Sequence, residues 1–248
     1  MSKDKILFII PAYNESKIIE KVLNDIKNNV DYADILVIND CSTDNTFDIV
    51  KKNGIKCITN IFNMGYARSV QVGIKYARDN NYDYVIQMDA DGQHLASEAK
   101  KMFKEIKKNK SDIVIGSRYL VNNGYHCPYF RRVGTKLFSI LIKLFTGKKI
   151  TDPLSGFQCL NRNVINYYAM CGNYPEYPDA NLVIEMLLNG YKISEVPVKM
   201  KNRENGVSMH SGILRPIKYM ITQFYICVVL VIKYTSIRRT KKWKIYFL

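Results

Sequence analysis

Residues 84–94 read YVIQMDADGQH. An apolar run runs straight into two aspartates one residue apart, and two carboxylates that close repel unless a cation or a hydrogen-bond network sits between them. Asp89 and Asp91 are therefore either solvated loop residues or metal ligands. The stretch also sets the fold, because its pattern of apolar run followed by polar loop recurs along the first half of the chain. KILFII (5–10) reads as a buried strand, and ADILVIND (33–40), IKCITNI (55–61) and SDIVIGSRY (111–119) read as further strands. Helical patterns alternate with them. The first follows PAYNES, capped by Asn14 or Ser16 and running to about residue 29. The next lies in STDNTFDIVKKNG, with Gly54 as its stop, and NMGYARSVQVGIKYARDNN and SEAKKMFKEIKKNK follow. This alternation predicts an α/β domain with a mostly parallel sheet flanked by helices. Ligands of such sheets bind at the carboxyl ends of the strands, where PAYNES, NDCSTD, DADGQH and GSRY all gather.

The second half is less regular. FRRVGTKLFSILIKLFTGKK is basic and amphipathic, TDPLSGFQCLNR is turn-rich, and NLVIEMLLNGYKISEVPVKMKNR reads as helix, glycine turn and strand. An uncharged run follows from Tyr219 to Ile232, between Lys218 and Lys233. As a helix it would measure about 21 Å, short of the roughly 30 Å hydrocarbon core of a bilayer. Snorkelling lysines extend it toward a marginal span. Being apolar nearly all round, it calls for burial in a bilayer, in a partner helix or on the domain itself. The tail RRTKKWKIYFL suits an anionic headgroup layer, and residues 136–145 suit either a membrane interface or a packed core.

The 248 residues carry a formal charge of +15, which favours an anionic partner: nucleic acid, a phosphorylated ligand or an acidic membrane surface. Six scattered cysteines without a CxxC pair argue against a zinc cluster and a disulfide framework, and for a reducing compartment. The N-terminus has no signal-peptide pattern. With no GxGxxG after the first strand and no Walker loop, NAD binding is disfavoured, and phosphate charge falls to a metal and arginines. Following a buried strand in a basic protein, Asp89 and Asp91 are read as ligands of Mg²⁺ or Mn²⁺, with Gln93 adding a neutral oxygen and substrate phosphates and waters completing the shell. His94 is read as a loop-fixing hydrogen bonder.

Seven segments in order, IIPAYNES, VINDCSTDNT, NMGYARS, DADGQH, GSRY, DPLSGF and EVPVKMKNRENGVS, resemble the GT-A family 2 glycosyltransferases. Within them the chain most resembles the dolichyl- and polyprenyl-phosphate sugar transferases, over about residues 5 to 212. The resemblance implies a GT-A domain over 1–212 and a membrane-associated hydrophobic helix with a basic aromatic tail over 213–248. It also implies an inverting, metal-dependent transfer of a sugar from a nucleotide sugar to a polyprenyl phosphate at the cytoplasmic membrane face, and it leaves room for a small membrane protein as partner. Pro11, Tyr13 and Glu15 would border the nucleoside. Asn39 and Asp40 match the usual Asp-Asp pair, and Asn39 keeps an acceptor but loses the charge, which leaves the base open. Ala90 would line the nucleotide sugar, while Asp89, Asp91 and Gln93 match the metal motif. Arg118 and Arg203 match clamps for the donor diphosphate or acceptor phosphate, and Arg131 and Thr135 match an acceptor-phosphate pair.

A lipid phosphate is already anionic and needs no general base, whereas a glycan hydroxyl does. For that alternative, cell-surface polysaccharide assembly, Asp152 is the candidate base; its other reading is a turn aspartate before Pro153. Asn181 stands where related sequences carry an acidic residue. A remote alternative is a non-catalytic nucleotide or nucleic-acid binder. It would need aromatics interleaved with the basic patches or a groove-reading helix, and neither is found, so no nucleic-acid partner is expected.

Overall fold

The computed structural model describes residues 4–120, 129–201 and 214–245, with side chains from residue 132 in the second segment and from 219 to 235 in the third. Its centre is β1 (Ile6–Ala12), whose seven residues are all buried. A strand covered on both faces has no use for polar alternation, hence the continuous run ILFIIPA. The strand continues through Pro11, one residue beyond the proline expected to end it. β1 pairs in parallel with β2 (Asp34–Asn39) and β4 (Tyr84–Gln87), and β2 with β3 (Lys56–Thr59). β5 (Ile113–Ser117) pairs in parallel with β7 (Ile193–Pro197). Between the two groups lies β6 (Gln158–Asn161), antiparallel to both β4 and β5. The seven strands run β3-β2-β1-β4-β6-β5-β7. The mostly parallel sheet is as expected; β6 was hidden in the turn-rich TDPLSGFQCLNR segment because a four-residue strand shows too little periodicity.

One face of the sheet is covered by α1 (Ile19–Asn29), α2 (Thr46–Lys52) and α4 (Ala96–Asn109). The other carries α3 (Tyr66–Asp79), α5 (Tyr129–Thr146), α6 (Arg162–Ala169) and α7 (Ala180–Leu188), with α8 (Leu214–Ile245) packed outside them. Where α3 crosses β1 the approach is so close that a Cβ on Gly73 would lie 2.5 Å from Ile9 Cγ2. The expected cap of α1 differs: the helix starts after Ile18 with no side-chain cap bond, and Asn14 and Ser16 bond instead to the β2–α2 loop. α8 is one 32-residue helix, about 48 Å long at 1.5 Å per residue. One side of it is buried on the domain: Gln223 and Cys227 are fully covered, Tyr219 donates to Asp179, and Tyr234 donates to Asn189. Of the three burial options, docking on the domain accounts for that side. Among the described residues no helix is long and apolar enough to cross a membrane.

Candidate functional site

The loops after β1 and β2 are stitched together by short polar side chains. Ser42 Oγ accepts from the Asn14 amide at 3.0 Å, Asn14 Oδ1 from the Thr43 amide at 2.8 Å, and Thr46 Oγ1 from the Glu15 amide at 2.9 Å. Asp44 accepts from the Ser16 and Thr46 amides, and although burial raises its carboxyl pKa these bonds hold it below the usual range. The stitching leaves Tyr13 as an exposed ring at the carboxyl edge of the sheet, with Pro11 buried beneath and Glu15 half-buried beside it.

Asn39 and Asp40 are drawn inward, although the sequence pattern places them against the nucleoside. They are 2% and 3% exposed. Asn39 Oδ1 accepts from the Ser42 amide, and its Nδ2 faces Thr59 Oγ1 at 3.4 Å. Asp40 takes three hydrogen bonds of 2.8 Å, from Asn60 Nδ2, the Met64 amide and the Gly65 amide. A carboxylate at a helix start with several N–H donors is well compensated. Gly65, with φ of 84°, makes the turn that Asp40 holds, so this aspartate sets the start of α3.

At the end of β4, Gln87 points inward and its Nε2 donates to the Tyr66 hydroxyl at 2.9 Å. That hydroxyl donates to Asp89 Oδ1 at 2.6 Å. Burial, and next the Asp89 charge, push the Tyr66 phenol pKa well up, so it is a neutral donor. The Asp89 amide donates to His94 Nδ1, and the buried His94 ring stacks on Phe157 with centroids 4.8 Å apart. His94 thus fixes the loop, as expected of it. Asp91 Oδ1 accepts from the Gln93 amide at 3.0 Å. Gly92, with φ of 74°, packs so tightly that a Cβ would sit 2.9 Å from Ile18 Cγ1. The Asp89 side chain keeps 30% of its surface open; Asp91 and Gln93 are partly exposed and Ala90 is buried.

The donor set at this corner is two carboxylates and an amide, all hard oxygens, which suits Mg²⁺ or Mn²⁺ rather than a thiolate metal. Among the described residues no cluster of three or more His, Cys, Asp or Glu forms a protein-only cage. A cation here would draw further ligands from water and substrate, the ordinary habit of Mg²⁺.

Across the sheet, at the ends of β5 and β7, the chemistry is different. Asp152 is fully buried and binds Arg118 bidentately, with Oδ2 to Nε and Oδ1 to NH2 both at 2.7 Å, while Oδ2 also accepts the Arg118 amide. Glu195 beneath accepts from the Thr151 amide, the Thr151 hydroxyl and the Asp152 amide, and burial raises its carboxyl pKa despite those bonds. Asp152 was a candidate base for a hydroxyl acceptor. In this geometry its oxygens are occupied and it has no exposed surface from which to take a substrate proton. Arg118, expected as a phosphate clamp, is 5% exposed and spends its Nε and NH2 edge on Asp152. Asn181 is buried, and its Oδ1 accepts the Asp179 amide at the start of α7. Thr135 is buried on α5. The Arg131 side chain and all of Arg203 lie outside the described residues, as do His126 and His210.

Tyr66, Gln87, Gly156 and Glu195 were not singled out from sequence. Two signals were there to find: a glutamine within the apolar run YVIQM, and a glutamate within the short strand ISEVP.

Comparison with known proteins places the arrangement in a wider group. A family model described as glycosyl transferase family 2 matches residues 7–168. The UDP-N-acetylglucosamine–dolichyl-phosphate N-acetylglucosaminyltransferase of Methanococcus voltae is 27% identical over 233 residues, spanning 85% of this chain and 92% of its own. The undecaprenyl-phosphate mannosyltransferase of Micrococcus luteus is 25% identical over 218 residues, 84% of this chain and 88% of its own. Among solved structures, glucosyl-3-phosphoglycerate synthase from Mycobacterium tuberculosis, in complex with Mn²⁺, UDP and glucosyl-3-phosphoglycerate, shares the fold with a TM-score of 0.65 at 16% identity, covering 93% of this chain and 80% of that one.

Proposed function

The chain belongs to glycosyl transferase family 2, and from that premise we propose that it moves a sugar from a nucleotide-sugar donor to a polyprenyl phosphate at the cytoplasmic membrane face, with inversion and with help from a divalent cation. The observation that carries the choice of acceptor is the buried Arg118–Asp152 pair. It engages the one carboxylate that the sequence offered as a base. The other position of interest, Asn181, is a buried amide. An acceptor that arrives already ionised needs neither, only positioning and screening of its charge. The names of the lipid-phosphate transferases from Methanococcus voltae and Micrococcus luteus support the same acceptor class.

In this reading Asp89, Asp91 and Gln93 hold Mg²⁺ or Mn²⁺, and the ion, when bound, offsets charge building on the leaving diphosphate. The exposed Tyr13 ring, with Pro11 and Glu15, borders the nucleoside, and Ala90 lines the floor under the sugar diphosphate. Asn39 and Asp40 act one step back, by shaping the loops that face the base. Arg203 supplies a guanidinium to the diphosphate and Arg131 receives the acceptor phosphate, whereas the buried Thr135 has almost no surface to offer it. Arg118 contributes chiefly by holding the strand end in place, with Asp152 as its counter-ion.

Contact with the membrane is assigned to two helices. On α5, Val133, Leu137, Ile140 and Leu144 are exposed at helical spacing; on α8, so are Ile221, Phe224, Tyr225, Val229 and Ile232. Since α8 already covers its inner side on the domain, it lies along the surface rather than across it and needs no partner helix for that side. Basic residues around these stripes suit anionic headgroups. The GT-A domain, 1–212, then contributes α5 to the membrane contact and the segment 213–248 contributes α8.

The test is to incubate the purified full chain in detergent with Mg²⁺ or Mn²⁺, a polyprenyl phosphate and a panel of nucleotide sugars. A chloroform-soluble sugar product, lost in Asp91→Ala, is expected. Donor binding or slow hydrolysis without lipid product would shift the acceptor to a glycan hydroxyl. No donor binding at all would overturn the proposal.

A further inference from the structure

We propose that Tyr66 is a positioning residue that locks the Asp89 carboxylate in one orientation for a divalent cation, with Gln87 directing its proton and Gly156 leaving it room. The inference rests on the reading of Asp89, Asp91 and Gln93 as a cation site. A tyrosine hydroxyl has one proton to give. Its oxygen lies 2.9 Å from Gln87 Nε2 and 2.6 Å from Asp89 Oδ1. An ionised carboxylate only accepts, so the proton goes to Asp89 and the glutamine must present its NH₂ to the phenol oxygen. The reverse amide orientation would leave two acceptors competing for one proton. The geometry therefore has a single consistent hydrogen assignment.

This bond orients Asp89 without neutralising it. A cationic partner would cancel the charge that a metal needs, whereas the hydroxyl of a phenol fixes the direction of the carboxylate and adds no counter-charge. The other oxygen, Oδ2, lies 3.9 Å from His94 Nδ1, beyond hydrogen-bond length. Tyr66 is itself fixed as the first residue of α3, directly after the Gly65 amide bonded to Asp40. The buried Asp40 and the half-open Asp89 are thus linked through one helix start. Gly156 closes the arrangement from behind. A Cβ there would sit 2.8 Å from the Tyr66 hydroxyl and 3.2 Å from each Asp89 oxygen, so a side chain could enter only by displacing the pair.

Groups that orient metal ligands in this way typically alter metal affinity about 10–100-fold when removed. The experiment is an EPR titration of free Mn²⁺ against the full chain, with UDP and, separately, GDP present, comparing wild type, Tyr66→Phe and Asp89→Ala. Tyr66→Phe is expected to raise the Mn²⁺ dissociation constant about 10–100-fold, with the thermal transition still cooperative. Wild-type Mn²⁺ affinity in Tyr66→Phe, beside a loss in Asp89→Ala, would overturn the inference and leave the cation site standing. Unchanged affinity in Asp89→Ala would overturn the cation site itself. A second arm uses Gly156→Ala, expected to lose both thermal stability and Mn²⁺ affinity. Combined with Tyr66→Phe, which removes the oxygen in its way, it should regain the stability of Tyr66→Phe alone while keeping the weakened affinity of that variant. If the double variant stays as unstable as Gly156→Ala, the hydroxyl is not what the glycine makes room for.

Discussion

The two sides of the sheet's carboxyl edge treat their acidic residues in opposite ways. At the end of β4, Asp89 and Asp91 are partly open, and neutral groups hold them: a phenol donates to one and a backbone amide to the other. At the ends of β5 and β7, Asp152 is drawn fully inside and matched to a guanidinium, with the half-buried Glu195 accepting the Asp152 amide beneath it. The physical distinction is between orienting a charge and cancelling it. Neutral donors fix direction and leave the anion available to a cation. A buried carboxylate must be compensated for its desolvation, by a counter-charge as at Asp152 or by several hydrogen-bond donors. One side is thereby suited to ligand chemistry and the other to scaffold.

The largest test of that contrast is on the open side. Asp91→Ala should lower transfer about 10²–10³-fold while the thermal transition stays near that of the wild type, since a half-exposed loop carboxylate contributes little to the core. A variant that keeps most of its activity would remove the functional side of the comparison. On the scaffold side the expected signature is reversed. Asp152→Asn takes the buried counter-charge away from Arg118 and should cost about 3–5 kcal/mol of stability, read by thermal or denaturant unfolding. Lipid-linked product should persist at temperatures where the variant is folded. A stable Asp152→Asn protein that makes no lipid-linked product would give the residue a part in transfer beyond the scaffold and break the contrast.

Asp40 offers an intermediate case, buried like Asp152 but held by neutral donors like Asp89. Asp40→Asn would put an NH₂ group in place of one oxygen, facing donors it cannot accept from: the Gly65 amide on the Oδ2 side, or Asn60 Nδ2 and the Met64 amide on the Oδ1 side. We expect a loss of about 1–3 kcal/mol, with activity falling further than stability alone explains, because Tyr66 follows directly. Equal loss in both measures would show that the start of α3 carries no functional burden.

How far the sequence alone reaches follows the same division. The strands β1, β2, β4 and β5 and the helices between them were legible because the sheet is covered on both faces and their apolar runs are continuous, while the edge strand β3, with no buried residue, was legible from its place in the alternation. β6 and α6 were not, being four and eight residues long and wedged behind a turn-rich segment. Asp89 and Asp91 stand out in the sequence because two carboxylates one residue apart, directly after a buried strand, repel each other, and the proposal of a cation there, with Gln93 as a further ligand, starts from that repulsion. The scaffold role of Asp152 was invisible, because its partner Arg118 is 34 residues away and an aspartate before a proline looks like any turn. Tyr66 escaped for a similar reason: an aromatic at helical spacing reads as core, and only the fold brings its hydroxyl to a residue 23 positions later. Long-range pairing of ordinary residue types leaves no local trace.

The smallest expected effect concerns the outer surface beside the scaffold side. α5 leads into the loop that holds Asp152, with Ser139 donating to the Ile150 carbonyl, and α8 lies against α5 and α7. The exposed apolar stripes therefore flank the side where a buried acid is already paired. That placement is physically economical, since an anionic bilayer repels unmatched carboxylates and attracts the lysines along α5. Ile140 and Leu144 are 55% and 73% exposed, so replacing both by serine should leave folding within about 0.5 kcal/mol of wild type. Binding to anionic vesicles should weaken about 10-fold, since each side chain is already partly covered and buries only a fraction of the about 1.5–3 kcal/mol that full burial would bring. Raising salt should weaken wild type and variant in parallel, because the serines remove apolar area and leave every lysine in place. If the double variant binds vesicles as well as wild type, α5 faces water, and the membrane contact must be sought on α8 alone.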